Sequence, residues 1–235
     1  MRKSPEFRPV NRESTASLIT RQLREGIMYG SLPGGTQLSE SALSQEFGVS
    51  RGPLREAMQR LVQEGLVRSE PNRGLFVKEL DDDEIRDLYA ARIAIETAAA
   101  RMIVRSPSSE PSTALLEACD AMQRAAESGR LSTLSDADFD FHELLVTMSG
   151  SPRLRRMHET LMVETRMCLT ALQGTYLDPE EQVAEHRRIA EAIVAADEAA
   201  LMREIEAHMH EALDRLIRQT EHAGTDDAAS DAAER

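Results

Sequence analysis

The sequence predicts a mainly α-helical chain in two parts: a small helical head closed by a β-hairpin, then an all-α antiparallel bundle. Three observations carry that reading. Aromatic residues are only 3% of the 235, with no Trp, while Ala, Leu, Glu, Arg and Met abound; this favours helix over a sandwich or barrel. Apolar residues recur at helical spacing along most of the chain. One pair of strand-like runs brackets a Pro/Asn/Gly turn at residues 66–78. Hydrophobic residues at 41% and charged residues at 29% describe a chain able to bury a core, and 235 residues fit two small domains.

Residues 1–12 are polar, contain Pro5 and Pro9, and read as a flexible arm. From Glu13 to Tyr29, Ala16, Ile19, Leu23 and Ile27 mark a first amphipathic helix, ended by Gly30 and Pro33-Gly34-Gly35. Ser39 can cap a second helix reaching Phe47 and closed by Gly48; Ser50 can cap a third running to Glu64 before Gly65. Two helices separated by only Gly48-Val49-Ser50 have the signature of a helix-turn-helix. The runs Leu66–Ser69 and Leu75–Lys78, either side of Glu70–Gly74, add a wing and complete a domain over residues 13–78.

Asp81-Asp82-Asp83-Glu84 suits the first turn of a new helix. From there to His222 the pattern is helical, broken at Ser106-Pro107, Ser128-Gly129, Ser149–Pro152, Gly174 and Asp178-Pro179. Five or six helices joined by short loops make a domain over residues 79–222, followed by a small acidic tail, 223–235, whose composition reads as disordered.

The net charge of −13 conceals an asymmetry. Residues 1–78 carry 12 Lys/Arg against 8 Asp/Glu, whereas residues 79–235 carry 16 against 33, which is +4 on the head and −17 on the body. An anion-facing module on an acidic body follows. In the third helix Leu54, Ala57, Met58 and Leu61 share one stripe, while Arg51, Arg55 and Gln59 lie off it. A recognition helix needs an apolar back and long donors projecting from its N-terminal half. Arginine can fork onto guanine or phosphate oxygens, and the N–H groups opened at Ser50 favour phosphate. At the wing tip Arg73 and Gly74 can approach the minor groove. One small head buries little surface, so a homodimer on double-stranded operator DNA is expected.

In the body, Asp138 and His142 are four apart and share a stripe with Leu134, Phe141 and Leu145. His186 lies with Val183, Ile189 and Ile193, and His208 with Leu201, Ile205 and Leu216; His158, His210 and His222 read as surface. One carboxylate and three imidazoles aimed inward can be ordinary hydrogen-bonded core, or can hold a divalent metal such as Zn, Ni, Mn or Fe. Arg92, between Leu88 and Ile95, points inward too, either as an i, i+4 partner of Glu96 or as a clamp for a small carboxylic acid. Arg166 shows a weaker inward periodicity. Cys119 and Cys168 have no Cys-x-x-Cys partner and make no disulfide framework. With no run of about 18 apolar residues and no apolar core in the N-terminal segment, the expected location is cytoplasmic, with no membrane partner.

The string Leu23-Arg24, Gly26-Ile27, Leu32-Pro33-Gly34, Leu38-Ser39-Glu40, Phe47-Gly48-Val49-Ser50-Arg51, Pro53-Leu54-Arg55-Glu56-Ala57, Glu64-Gly65-Leu66-Val67, Asn72-Arg73-Gly74 and Phe76-Val77 resembles the winged helix-turn-helix of GntR-family transcription regulators. The resemblance implies operator contacts from Arg51, Arg55 and Gly74; a further arginine that some members carry early in the second helix is here Ser41. Asp138-x-x-x-His142, His186 with Ile189 and Ala192-Ile193, then Asp197 and Met202 ahead of His208, resemble the FCD ligand-binding domain of the FadR subgroup, in its shorter, VanR-like form. That resemblance implies a metal, zinc first, on Asp138, His142, His186 and His208, with Arg92 lining an effector pocket. The implied function is a DNA-binding regulator, a repressor, controlled by a small organic acid, and not an enzyme. The alternatives are a metal-dependent enzyme, or a sensor for which the ion is the signal.

Overall fold

A computed structural model describes residues 13–106, 110–171 and 178–233, so the N-terminal arm lies outside the described residues. The chain divides into two compact units, with the division between Lys78 and Glu79 and the short stretch Met28–Gly30 grouped with the second.

The first unit holds α1 (Thr15–Met28), α2 (Glu40–Glu46), α3 (Arg51–Gln63), β1 (Val67–Glu70) and β2 (Gly74–Val77). Ala16, Ile19, Leu23 and Ile27 of α1 are buried, as are Leu54, Ala57, Met58 and Leu61 of α3, so the apolar stripes form this unit's core. Arg24 of α1 holds Glu64 through Nε at 3.0 Å and a terminal nitrogen at 2.6 Å. Ser39 caps α2 by accepting the Ala42 N–H. Gly48 takes φ +63, a left-handed backbone that reverses the chain between α2 and α3. The strands pair antiparallel, Val67 opposite Val77 and Glu70 opposite Gly74. Residues 35–38 run along the free edge of β2, with Leu38 N–H donating to Leu75 C=O at 2.8 Å.

The second unit holds α4 (Asp82–Val104), α5 (Glu110–Glu127), α6 (Leu131–Met148), α7 (Pro152–Ala171), α8 (Pro179–Val194) and α9 (Glu198–Ala233). Asp81 starts α4 with a reciprocal capping box to Glu84. Helix α4 packs against α6, α7 and α9, while α5 lies against α6 and α8. Their shared core includes Tyr89, Leu115, Met122, Phe141, Leu145, Ile189, Leu201 and Ile205. Cys119 and Cys168 are buried and form no disulfide, and burial lifts the Cys119 thiol to about 11. Helix α9 continues to Ala233, so most of the tail that composition marks as disordered is helical. Its Ala-rich sequence extends an existing helix at little cost, since propagation needs no new nucleus. Among the described residues no helix is long and apolar enough to cross a membrane.

Candidate functional site

The first unit presents one polar helix face. Arg51, Arg55 and Gln59 are exposed, opposite a stripe in which Leu54, Ala57 and Leu61 have no solvent exposure. Ser50 has the extended backbone of an N-cap (φ −71, ψ 161), but its hydroxyl makes no capping bond, which corrects the side-chain cap expected there. Arg55 donates through Nε to both oxygens of Glu40, at 2.9 Å each, a pair that leaves its terminal nitrogens outside the bond. Ser41 bonds Ser39 through its hydroxyl at 3.0 Å. At the wing tip Gly74 takes φ +104. The side-chain amide of Gln37 donates to the Arg73 carbonyl at 2.6 Å, fixing the tip from outside the hairpin. The Arg73 side chain is 70% exposed, pairs with Glu70 and carries its guanidinium 5.2 Å from the Phe76 ring centroid.

In the second unit, α6, α8 and α9 bring His142, His186 and His208 together, all buried, with donor atoms within 4.8 Å of one another. His142 Nε2 lies 3.2 Å from His186 Nε2 and 3.2 Å from His208 Nε2. The outer nitrogens are each turned to an acceptor. His142 Nδ1 faces Glu96 Oε2 at 2.7 Å, His186 Nδ1 faces the Gln182 carbonyl at 2.8 Å, and His208 Nδ1 faces Glu185 Oε2 at 2.8 Å. A carbonyl or ionised carboxylate can only accept, so each Nδ1 carries a proton. The Nε2 of neutral His142 and His208 then points a lone pair inward, while His186 Nε2 also faces the Asp138 carboxylate. Asp138 approaches from one side, its Oδ1 3.2 Å from His186 Nε2 and accepting the Gln182 amide at 2.9 Å. It stands beside the tight group of three rather than inside it.

These charges are set by burial and neighbours. Burial works against the Asp138 carboxylate, but the His186 hydrogen bond and charge hold it far below the usual range. For His186, burial is outweighed by Asp138, and its basicity rises. Burial lowers His142 despite Glu96. Burial and the adjacent His186 push His208 down to about 3. A proton on His186 can serve Asp138 or His142, yet it cannot serve the His142–His208 pair, where two lone pairs face each other. A cation relieves that conflict. Tetrahedral metal–nitrogen bonds of about 2.0–2.1 Å place ligands about 3.3 Å apart, close to the observed spacing. The three imidazoles therefore fit a divalent ion, each with an outer acceptor fixing its ring.

Arg92 is 3% exposed and sits beside this cluster. Its Nε donates to Glu96 Oε1 at 3.1 Å, while one terminal nitrogen is buried with no hydrogen-bond partner. Arg92 thus makes the i, i+4 pair with Glu96 and still has a donor left over. A cavity of about 400 Å³ is lined by residues that include Tyr89, Arg92, Asp138, His142, His208 and Arg215. Arg166 is buried, bonded to Ser135 and Asp136, and its ring partner Phe139 lies 4.9 Å away.

His158 corrects the sequence reading. It is 1% exposed, and its Nε2 bonds Glu96 Oε1 at 3.0 Å. Its neighbours Arg155, Arg156, Met157 and Glu159 are all exposed, so local polarity pointed outward. His210 is exposed as expected, and the His222 side chain lies outside those described. Sequence reasoning also missed Glu185, buried between His208 and Arg215. Burial opposes its charge, but the bonds from His208 and Arg215 bring Glu185 down to about 2. A faint signal existed only for Glu96, as the i+4 neighbour of Arg92.

Comparison with known proteins fits both units. Residues 15–77 match the bacterial regulatory proteins of the gntR family, and residues 87–211 match the FCD domain. The chain is 28% identical over 218 residues to the HTH-type transcriptional repressor RspR of Escherichia coli strain K12, covering 93% of each. It is 28% identical over 196 residues to the uncharacterized HTH-type transcriptional regulator YdhC of Bacillus subtilis, covering 83% of this chain and 88% of that one. A putative GntR regulator from Rhodococcus sp. RHA1 shares the fold at TM-score 0.74 and 23% identity, covering 86% and 97%. The chain belongs to the GntR family of DNA-binding transcription regulators, its winged helix-turn-helix joined to an FCD domain.

Proposed function

We propose that this regulator is a repressor that binds operator DNA as a homodimer through residues 13–78 and is controlled by a small organic acid bound in residues 79–222. Ser50, Arg51, Arg55, Gln59, Arg73 and Gly74 form the DNA face. Asp138, His142, His186 and His208 hold a divalent metal, with zinc the first choice for three imidazoles and one carboxylate. Such an ion, when bound, supplies open coordination positions for a carboxylate oxygen. Arg92 gives the acid a second, cationic anchor. The observation that carries the reading is the convergence of three buried imidazoles beside Arg92, which lines the same cavity as His142 and His208 and has a buried guanidinium nitrogen without a partner. An acid bound across helices from different parts of the bundle can bias its packing and so change how two heads are spaced on the operator.

The test is metal analysis of dialysed wild type and His186→Ala, with a thermal-shift screen of small carboxylic acids on both. The expected result is about one metal per wild-type chain, stabilisation by one class of acid, and loss of both in the variant. That acid should then alter the affinity for operator duplexes selected from a random pool. Wild type without metal and unmoved by any acid would leave the four polar residues as structure and the body as a dimerisation module.

A further inference from the structure

Glu96 is fully buried, yet it accepts bonds from three helices. Oε2 takes His142 Nδ1–H from α6 at 2.7 Å. Oε1 takes Arg92 Nε–H from its own helix at 3.1 Å and His158 Nε2–H from α7 at 3.0 Å. A carboxylate in such a place is costly to bury, and an apolar residue could fill it without that cost. An Arg–Glu pair serving stability alone would close as a two-pronged fork. Here the second oxygen is committed to His142, and Arg92 is gripped by Nε alone, which leaves a terminal nitrogen without a partner.

We propose that Glu96 is a positioning residue: one oxygen fixes the tautomer of His142, the other aims the Arg92 guanidinium, and His158 holds the carboxylate between them. The inference rests on the metal-and-acid reading above for its functional consequence, but its geometry can be tested without metal. Arginine cannot accept a hydrogen bond, so in Glu96→Gln the amide oxygen must stay with Arg92. The amide NH2 then faces His142 Nδ1. His142 is forced to accept there and to carry its proton on Nε2, the atom that faces His186 and His208.

The experiment is nitrogen NMR of histidine-labelled, metal-free protein, followed by Zn2+ titration against a competing chelator. Wild type should show His142 protonated at Nδ1, and Glu96→Gln should move that proton to Nε2. Zn2+ affinity should then fall by about 10- to 100-fold, the usual cost of losing such an outer partner. Should Glu96→Gln fail to fold, Arg92→Met/Glu96→Met replaces the buried pair by apolar groups of similar length. It still leaves His142 without its acceptor, so the weakened Zn2+ binding persists. A His142 that keeps its Nδ1 proton in a folded variant, with Zn2+ affinity within about twofold of wild type, overturns the proposal. Wild type that takes up no Zn2+ while Glu96→Gln still moves the proton overturns the metal reading and leaves the positioning role standing.

Discussion

His208 shows how one side chain links the bundle's stability to pH. Burial and the neighbouring His186 hold it at about 3, whereas an unfolded chain returns it to about 6.5. Between those values the unfolded chain binds the extra proton. The neutral buried ring therefore contributes stability that is complete above about pH 6.5 and is lost as pH falls towards 3. In metal-free protein, urea unfolding at pH 7 and pH 5 should show wild type losing about 2 kcal/mol more than His208→Gln. Equal losses would mean that His208 is not held neutral. Periodicity alone placed His142, His186 and His208 inward, because each shares a stripe with buried Leu, Ile or Val. It could not find the carboxylates that hold His142 and His208 from outside. Glu96 meets His142 across 46 residues and His158 across 62, and contacts between helices depend on packing register rather than on local spacing. Glu185 stayed hidden because it adjoins His186 in the chain, and one residue along a helix turns the side chain by about 100°.

At the scale of elements, the head was the more legible half, because glycines and caps punctuate it. Gly48 and Gly52 make the reason testable. A Cβ at either would meet nothing within 4 Å, so space does not distinguish them. Conformation does: Gly48 has φ +63, while Gly52 lies inside α3. Gly48→Ala should destabilise the protein by about 1–2 kcal/mol, the cost of forcing an L-residue into left-handed backbone. Gly52→Ala should be neutral or stabilising by up to about 1 kcal/mol, because alanine gives up less freedom in a helix. Chemical denaturation of both variants decides it, and a Gly48→Ala protein as stable as wild type would remove the turn's claim on glycine. Ser50 and α9 were less legible. A cap residue type fixes the backbone of a helix start without ensuring that its hydroxyl turns to the open N–H groups, and a polar Ala-rich tail obeys helix propensity as readily as disorder. Among the described residues the second unit has six helices, within the five or six that the punctuation allowed.

At the scale of the whole molecule, the sign of the charge divides the work. The head carries +4 and the remainder −17, so a polyanion is attracted by residues 1–78 and repelled elsewhere. Two kinds of contact follow from the exposed face, and they separate in salt. If Arg51, at the first turn of α3, holds phosphate, Arg51→Ala should weaken binding to all duplexes alike and reduce the slope of log affinity against log salt by about 1. Arg55 is steered by Glu40 through Nε, which directs its terminal nitrogens as a fork suited to a base edge. Arg55→Ala should cost about 1–3 kcal/mol on the selected operator and relax its sequence preference at one position. Glu40→Gln leaves the arginine in place but loosens its aim, so it should lose discrimination while keeping affinity for non-specific DNA. His186→Ala, in the other unit, should leave the salt slope of metal-free protein unchanged. Fluorescence anisotropy over a salt series, with selected and scrambled duplexes, measures all four variants. A slope that shifts with His186→Ala would place part of the DNA contact in the acidic unit, and the division of labour by charge would have to be abandoned.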